Sequence, residues 1–471
     1  MHKQQEISTS DSQLNFSNGI YFIGIGGIGM SAIARYFHTQ GVSVSGYDKT
    51  ETQLTKELVR SGITVSYVDD VSLIPREISL VVFTPAIPKD HQGLNFYQQN
   101  GYQVIKRSDV LKIITENSFN ICVAGTHGKT TVSTMTAHIL RHSGFGCNAF
   151  LGGISVNYGT NFWSHEKNVC VVEADEYDRS FLKLSPDVAV ITSMDADHLD
   201  IYHTEEALQD AFIQFSEKVK NNGILISKFG LKRGSELKSG NHISYSLQNE
   251  SAGVYAANIR MDNGSYEFDV VLTDKVLESF RLNMGGMHNV ENIVAAVAVA
   301  NHLEIDEEKI KAAVVEFKGV KRRFEYIIKN DRLVFIDDYA HHPEELKALI
   351  KSAKALFGNW RCTLIFQPHL FSRTRDFADA FAESLDLADQ VILLPIYPAR
   401  ELPIEGVNSE MIAGKMTNKT HKVMSKESML EWIRKDYIPA TSYEFGEIVI
   451  TAGAGDIDAL VEPIKKELQA I

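Results

Sequence analysis

Gly125-Thr-His-Gly-Lys-Thr-Thr131 constrains this 471-residue chain more than any other stretch. The apolar run Phe119 to Ala124 before it predicts a strand that stops at the glycine turn. Val132, Met135, Ile139 and Leu140 after it predict a helix that starts near Lys129. A strand, a glycine turn and a helix start in that order form a cradle for phosphate. Backbone N–H groups and the positive helix end face the anion, a lysine reaches the outer phosphates, and a hydroxyl takes a magnesium ion. Gly125, Thr126, His127, Gly128, Lys129, Thr130 and Thr131 are therefore expected on a nucleotide. The common spacing G-x-x-x-x-G-K-[ST] is not met, because Val123 stands where its first glycine would be, so this is a shortened loop. A plain glycine turn is the competing reading, and Lys129-Thr130-Thr131 in this context disfavours it.

The length predicts two to four domains. A hydrophobic fraction of 44% and a charged fraction of 23% describe an ordinary globular chain. Met1 to Asn18 is polar, without the order of a signal peptide, and no apolar run is long enough to cross a bilayer. Cys122, Cys147, Cys170 and Cys362 are scattered without metal-ligand spacing, so buried reduced thiols and a cytoplasmic location are expected. The net charge of −13 argues against a nucleic-acid surface. Anionic small molecules remain open, because Lys321-Arg322-Arg323 and Arg373/Arg375 are local basic clusters.

Three α/β blocks follow from the alternation of strand and helix patterns, which favours mostly parallel sheets with helices on both faces. The first is read from about Gly19 to Ser108, with strands Ile20–Ile25, Val42–Gly46 and Leu80–Thr84 and a helix Met30–Thr39. The second starts at Phe119 and has strands Asn168–Glu173, Asp187–Ser193 and Gly223–Ser227. A β-rich stretch from His242 to Met284 follows, with a hairpin turn at Asn263-Gly264, and then a helix pair at about His288–His302 and Asp306–Phe317. The third starts near Arg322, with strands Leu333–Ile336, Thr363–Phe366, Gln390–Leu394 and Ile448–Thr451. The corresponding domain spans are 1–115, 116–321 and 322–471.

Each block carries a candidate site. Gly24-Ile-Gly26-Gly27-Ile28-Gly29 fits G-x-G-x-x-G after a strand, and Asp48 ends the next strand, where a ribose-binding acid sits. Such a turn accepts a dinucleotide or a nucleotide-sugar diphosphate equally well. Thr84 ends another strand of this block, and Arg107 lies close by in sequence to its end; an ordinary loop role competes for each. In the second block the strand ending on Glu173 puts a carboxylate beside the phosphate loop, where Thr130 would share a magnesium ion with it. His198, flanked by acids in Asp195 to Asp200, is a candidate for a second metal position. Asn289 and Asn292 lie on one helix face and can pair with adenine; helix capping competes for Asn289. In the third block Asp337-Asp338-Tyr339-Ala-His341-His342-Pro343 and Gln367-Pro-His369-Leu-Phe-Ser372-Arg373-Thr-Arg375 both end strands before helices. The two arginines suit phosphate or carboxylate charge, with a surface ion pair as the competing role.

In this order the motifs GIGGIGMS (Gly24–Ser31), GTHGKTT (Gly125–Thr131), EADEYD (Glu173–Asp178), Asp197-His198, HNVEN (His288–Asn292), DDYAHHP (Asp337–Pro343) and QPHLFSRT (Gln367–Thr374) resemble the Mur ligase family, and they cover nearly the whole chain. The resemblance implies a Rossmann-like N-terminal domain that holds UDP-N-acetylmuramic acid, with Gly26, Gly27, Ile28, Gly29, Asp48, Thr84 and Arg107 as its contacts. It implies a central P-loop-type ATPase domain with a parallel sheet and a small β subregion, and a Rossmann-like C-terminal domain for L-alanine. ATP and Mg²⁺ are the implied cofactors. Thr130 and Glu173 would hold one ion and His198 the second, while Asn292, Asn289, Arg323 and Asp338 would contact the nucleotide. Lys129, His198, His341, Arg373 and Arg375 would be catalytic, and Tyr339 would face the amino acid. The implied reaction is ATP-dependent ligation of an amino acid to the lactyl carboxylate through an acyl phosphate, by a monomer or weak homodimer without nucleic-acid or membrane partners. Tyr177 and Arg179 depart from the small residues of some alanine-adding relatives.

Two other readings compete. A recycling ligase would join a murein tripeptide to the same sugar nucleotide and would differ in its acceptor pocket. A nicotinamide dehydrogenase built on Gly24–Gly29 and Asp48 would leave Lys129 and Glu173 without a role.

Overall fold

The computed structural model describes residues 16–399, 401–437 and 446–470, together with the backbone but not the side chains of Leu199 and Asp200. The polar stretch read from Met1 therefore lies outside the described residues up to position 15.

Among the described residues the strands form three sheets. The first contains β1 (Ile20–Ile23), β2 (Val44–Tyr47), β3 (Thr64–Ser66), β4 (Leu80–Phe83) and β5 (Val104–Lys106), all parallel, in the order β3-β2-β1-β4-β5. It stops one strand short of the six-stranded order of a full dinucleotide fold.

The second sheet contains β6 (Phe119–Ala124), β7 (Asn148–Ser155), β8 (Thr160–Trp163), β9 (Val169–Glu173), β10 (Val188–Ile191), β11 (Ile224–Lys228), β12 (His242–Ser246), β13 (Val254–Asp262), β14 (Ser265–Val271) and β15 (Val276–Leu282). Its order is β15-β14-β13-β12-β11-β10-β6-β9-β7-β8. β6 thus lies between β9 and β10, parallel to both, and its glycine turn opens beside the ends of both neighbours. β8 runs antiparallel to β7, an edge hairpin that the sequence reading missed.

The third sheet contains β16 (Glu325–Lys329), β17 (Leu333–Asp338), β18 (Arg361–Phe366), β19 (Gln390–Leu393), β20 (His421–Val423) and β21 (Glu447–Ala452), in the order β16-β17-β21-β18-β19-β20. It is parallel except for β16.

The strands of β6, β10, β18 and β21 are buried almost throughout, as expected for parallel strands covered on both faces. The turn at Asn263-Gly264 joins β13 to β14 with both residues at positive φ, +45° and +71°, the two-residue turn whose twist matches a hairpin.

By its contacts the chain divides into two compact units. One runs to Ala257 and takes in Val270–Leu277 and Glu291–Val314; the other comprises Asn258–Asp269, Glu278–Val290 and Val315–Ile471. In the first unit a single apolar core runs beneath both glycine-turn sheets, from Phe22, Ile33 and Phe37 to Phe150, Val172 and Phe212. The helix Ile28–Thr39 is tied to β8 as well. Asn161 donates from Nδ2 to the Ile28 carbonyl at 2.5 Å, and Arg35 Nη1 donates to Thr160 Oγ1 at 3.0 Å. The core of the second unit lies under the third sheet, around Phe335, Ile392, Val449 and Ile464.

His138, in the helix Lys129–His142, is 1% exposed. Its Nε2 lies 2.8 Å from the Ala313 carbonyl, which can only accept, so Nε2 carries the proton and Nδ1 accepts from the Tyr158 hydroxyl at 2.9 Å. Burial pulls its pKa down to about 4. The unfolded chain therefore binds a proton below about pH 6.5 that the native state refuses. Stability is expected to be full above that pH and to fall by about 3 kcal/mol as pH drops to 4. Urea denaturation at pH 7 and pH 5 should show the loss, and His138→Gln should flatten it.

Candidate active site

The glycine turn after β1 is built around Asp48. Gly24 has φ +86°, and the Gly26 N–H donates to Asp48 Oδ2 at 2.8 Å. A side chain at Gly26 would press on that carboxylate, which is 2.8 Å from where a Cβ would stand. Asp48 Oδ1 also accepts the Thr50 N–H at 3.2 Å. The acid expected on a ribose thus first holds the turn in shape. Thr84 accepts the Ala86 N–H at 3.1 Å, the ordinary loop role that competed for it, while its methyl group faces Gly24.

Arg107 opens the helix Arg107–Glu116 and reaches both neighbouring sites. Its Nη1 occupies the space that a Cβ on Gly29 would take, and its Nη2 donates to Asp175 Oδ2 at 3.1 Å. Gly29→Ala is expected to push the guanidinium aside, raising the KM for a ligand held on this turn about tenfold while the affinity for a nucleotide at the second glycine turn stays put. Steady-state kinetics and ATP titration of the variant check this.

The loop after β6 is braced from β10. Thr126 N–H donates to the Ser193 carbonyl at 3.3 Å and His127 N–H to Ser193 Oγ at 2.6 Å; the Thr192 hydroxyl donates to the Ala124 carbonyl at 3.1 Å. Both of these amides, expected on a phosphate, are engaged by Ser193 here. The anion-facing part is the first turn of the helix, Lys129-Thr130-Thr131, with Gly128 at φ +82° as its cap. Asn292 stands at the same loop, its Oδ1 3.0 Å from where a Cβ on Gly128 would be.

Thr130 Oγ1 donates to Glu173 Oε1 at 3.1 Å, and the other carboxylate oxygen accepts the Gly152 N–H at 3.0 Å. A hydroxyl and a carboxylate side by side at a phosphate loop are hard oxygen ligands of the kind Mg²⁺ takes, so the donor set fits that ion. Gly152 was not singled out from the sequence, yet any side chain there would overlap Glu173.

His198 groups with a different acid. Its Nε2 lies 3.7 Å from Glu176 Oε1 and its Nδ1 3.8 Å from Asp197 Oδ1. Ligand atoms of Glu176, Asp197 and His198 fall within 4.8 Å of one another. Glu176 was passed over in the sequence as one acid among several, but its side chain is 0% exposed and Lys129 Nζ donates to it at 2.7 Å. Burial raises its pKa, against the pull of the Lys129 charge.

In the other unit, functional side chains gather at the carboxyl ends of β17 and β18. Asp337, 2% exposed, is held by Arg322 Nε at 3.2 Å and Thr451 Oγ1 at 2.6 Å; burial raises its pKa despite the guanidinium. Tyr339 is exposed, with the Arg322 guanidinium 5.2 Å from its ring centroid and the His341 ring 5.1 Å away. His341 Nδ1 donates to the Tyr339 carbonyl at 2.9 Å, which leaves Nε2 as the basic nitrogen. The His369 ring lies 6.0 Å from that of His341 and stacks on Tyr397, and Arg373 Nη1 is 3.5 Å from His369 Nδ1. Burial, with the Arg373 charge next, lowers the pKa of His369. Position at a strand end was the only sequence signal for His369, and Tyr397 had none.

Three more of the expected residues engage close partners. Asp338 accepts the Phe324 N–H at 2.7 Å and the Ala340 N–H at 2.8 Å, so its carboxylate shapes the loop beside Arg323. Asn289 is 2% exposed, and its side-chain amide donates to the Gly285 carbonyl at 2.6 Å. Arg375 pairs with its neighbour Asp376 at 2.8 Å, both about half exposed, which is the surface ion pair.

Comparison with known proteins matches the three blocks in turn. Family models match residues 19–118 (Mur ligase family, catalytic domain), 123–300 (Mur ligase middle domain) and 322–455 (Mur ligase, glutamate ligase domain). The UDP-N-acetylmuramate–L-alanine ligase of Flavobacterium johnsoniae is 47% identical over 97% of this chain and 99% of its own length. That of Cytophaga hutchinsonii is 46% identical over 96% and 97%. The crystal structure of the UDP-N-acetylmuramate–alanine ligase from Thermotoga maritima superposes with a TM-score of 0.81 at 27% identity, covering 96% of this chain and 99% of that one. With three α/β blocks in this order, each matched by its own model, and near full-length relatives at this identity, the chain belongs to the Mur ligase family.

Proposed function

We propose that this protein ligates L-alanine to the lactyl carboxylate of UDP-N-acetylmuramic acid at the expense of ATP, in peptidoglycan precursor synthesis. The relatives of near full length that carry this activity in their names support the reading. The observation that carries it is structural. Gly29 of the first glycine turn and Arg107 share one cavity of about 110 Å³ with Gly152, Glu173 and Asp175 beside the phosphate loop. A sugar nucleotide held on the turn would therefore extend its carboxylate toward the Lys129-Thr130 end of the helix.

In this reading residues 1–115 hold the sugar nucleotide, 116–321 the ATP and 322–471 the amino acid. A carboxylate does not accept an amine at neutral pH, because its oxygen is a poor leaving group. Moving the γ-phosphoryl group of ATP onto one carboxylate oxygen gives an acyl phosphate and ADP. The amine of alanine then adds to the carbonyl carbon, and the tetrahedral adduct expels phosphate and loses a proton.

Such transfers ask for alignment and charge neutralisation more than for a nucleophilic side chain. Lys129 neutralises the outer phosphates and Arg107 orients the sugar nucleotide. Arg373 stabilises the developing negative charge, and the free Nε2 of His341 is suited to take the proton released by the amine. Mg²⁺, held by Thr130 and Glu173 and a second by His198, would screen the phosphate oxygens from one another. The four cysteines are buried free thiols, in keeping with a cytoplasmic location. No described helix is long and apolar enough to cross a membrane.

The test is phosphate release with ATP and UDP-N-acetylmuramate, comparing L-alanine with the murein tripeptide and other amino acids. Turnover is expected with L-alanine. Preference for the tripeptide would replace this reading with the recycling ligase, and no turnover with any acceptor would end it.

A further inference from the structure

Glu176 is a buried acid of this region that the reaction above does not use. It follows β9 in Asp175-Glu176, immediately before a turn in which Asp178 and Arg179 both take left-handed φ, +54° and +55°. Two consecutive non-glycine residues there are strained and persist only where their surroundings hold them. Tyr202 secures the same segment by donating its hydroxyl to the Glu176 carbonyl at 2.7 Å.

The side chain thus anchored meets two site residues at a single oxygen. Oε1 accepts from Lys129 Nζ at 2.7 Å and lies 3.7 Å from His198 Nε2. Oε2 is buried with no hydrogen-bond partner among the described residues. Lys129 in turn gives a second bond to the Gly125 carbonyl at 2.7 Å, so the lysine is folded back against its own loop. With two of its three N–H groups given to Glu176 and the Gly125 carbonyl, the ammonium keeps one for a phosphate unless it leaves the carboxylate. A buried carboxylate that loses its cation must find another. Within 4.8 Å of it stand the ligand atoms of Asp197 and His198.

We propose that Glu176 is a positioning residue that exchanges partners: it holds Lys129 until phosphate arrives, then turns its carboxylate to a divalent cation gathered with Asp197 and His198. Phosphate arrival and cation capture at His198 are thereby coupled through one side chain. The inference rests on the ATP and Mg²⁺ reading above.

Binding measurements on the whole protein test it without turnover. ATP affinity is measured by calorimetry in EDTA, and Mn²⁺ affinity by electron paramagnetic resonance in the presence of ATP, for the wild type and Glu176→Gln. The glutamine no longer competes for Lys129 and is a poor cation ligand. Metal-free ATP should bind about tenfold tighter, while Mn²⁺ binds about tenfold more weakly. Glu176→Asp, which keeps the charge, should restore part of the Mn²⁺ affinity. In turnover, kcat should fall with little change in the KM for ATP at saturating Mg²⁺.

Unchanged ATP affinity in EDTA overturns the proposal, and so does tighter ATP binding with unaltered Mn²⁺ affinity, because the hand-over needs both. Unchanged affinity for UDP-N-acetylmuramate shows that the variants are folded. If the wild type itself binds no ATP, the functional reading falls rather than this inference.

Discussion

Lys129→Ala is expected to lower kcat for ligation by about 10²- to 10³-fold, with the affinity for UDP-N-acetylmuramate nearly unchanged. Lys129 is the one lysine or arginine of residues 125–131, and in the proposed transfer its ammonium would neutralise charge building on phosphoryl oxygens. The variant has a second effect that must be separated from the first. Glu176, fully buried, loses the 2.7 Å ion pair that compensates its desolvation. Removing one partner of such a pair costs about 3 kcal/mol, unless the acid takes up a proton. Lys129→Ala/Glu176→Gln should recover most of that stability and none of the activity. Thermal unfolding and single-turnover phosphate release, measured on both variants, distinguish the two. Loss of sugar-nucleotide binding together with ligation would contradict the division of roles between the two glycine turns.

Gly125→Ala is expected to be strongly damaging for a change of one methyl group. Gly125 sits at φ +136°, where side chains are strongly disfavoured. Its Cβ would overlap the Thr192 hydroxyl and stand 2.8 Å from the Ser193 backbone nitrogen. A hydroxyl can rotate away, but the Ser193 nitrogen belongs to the chain segment that braces the loop. Relief therefore requires the turn to part from the end of β10, which breaks the Ser193 bonds to Thr126 and His127. We expect a stability loss of about 2–4 kcal/mol and at least about a tenfold loss of ATP affinity. Gly128→Ala is the milder control: it too stands at positive φ, +82°, but the nearest contacts of its Cβ are side-chain atoms of Asn292 at 3.0 Å and Thr192 at 3.5 Å rather than backbone. Urea denaturation and ATP titration of the pair should rank them in that order; equal effects would mean that the brace from β10 does not shape the loop.

The elements that were legible in the sequence are those whose pattern is local and long. β6 agrees residue for residue with the apolar run before the glycine turn, and the helices after Lys129 and Gly286 start within a residue or two of where they were read. The Asn263-Gly264 hairpin was legible because only such residues accept two successive left-handed conformations at low strain. What went unread was short or at an edge. β3, β5 and β20 have three residues each, too few for a period, and β7 carries Gly152-Gly153 in its middle, which reads as a turn rather than a strand.

The site divides in the same way. Sequence alone determined the three α/β blocks, the two glycine turns and the strand-end acids and imidazoles, because strand ends and turns follow from periodicity and backbone freedom within a dozen residues. Only the tertiary structure decided which of those groups meet. Setting β6 between β9 and β10 is what brings Ser193 under the phosphate loop and Glu176 onto Lys129, partners separated by 66 and 47 positions. In the other unit Asp338, Asn289 and Arg375 take partners of their own. A side chain's role depends on which neighbour satisfies it once water is excluded, and that choice is made between segments far apart in the chain, where no local pattern records it.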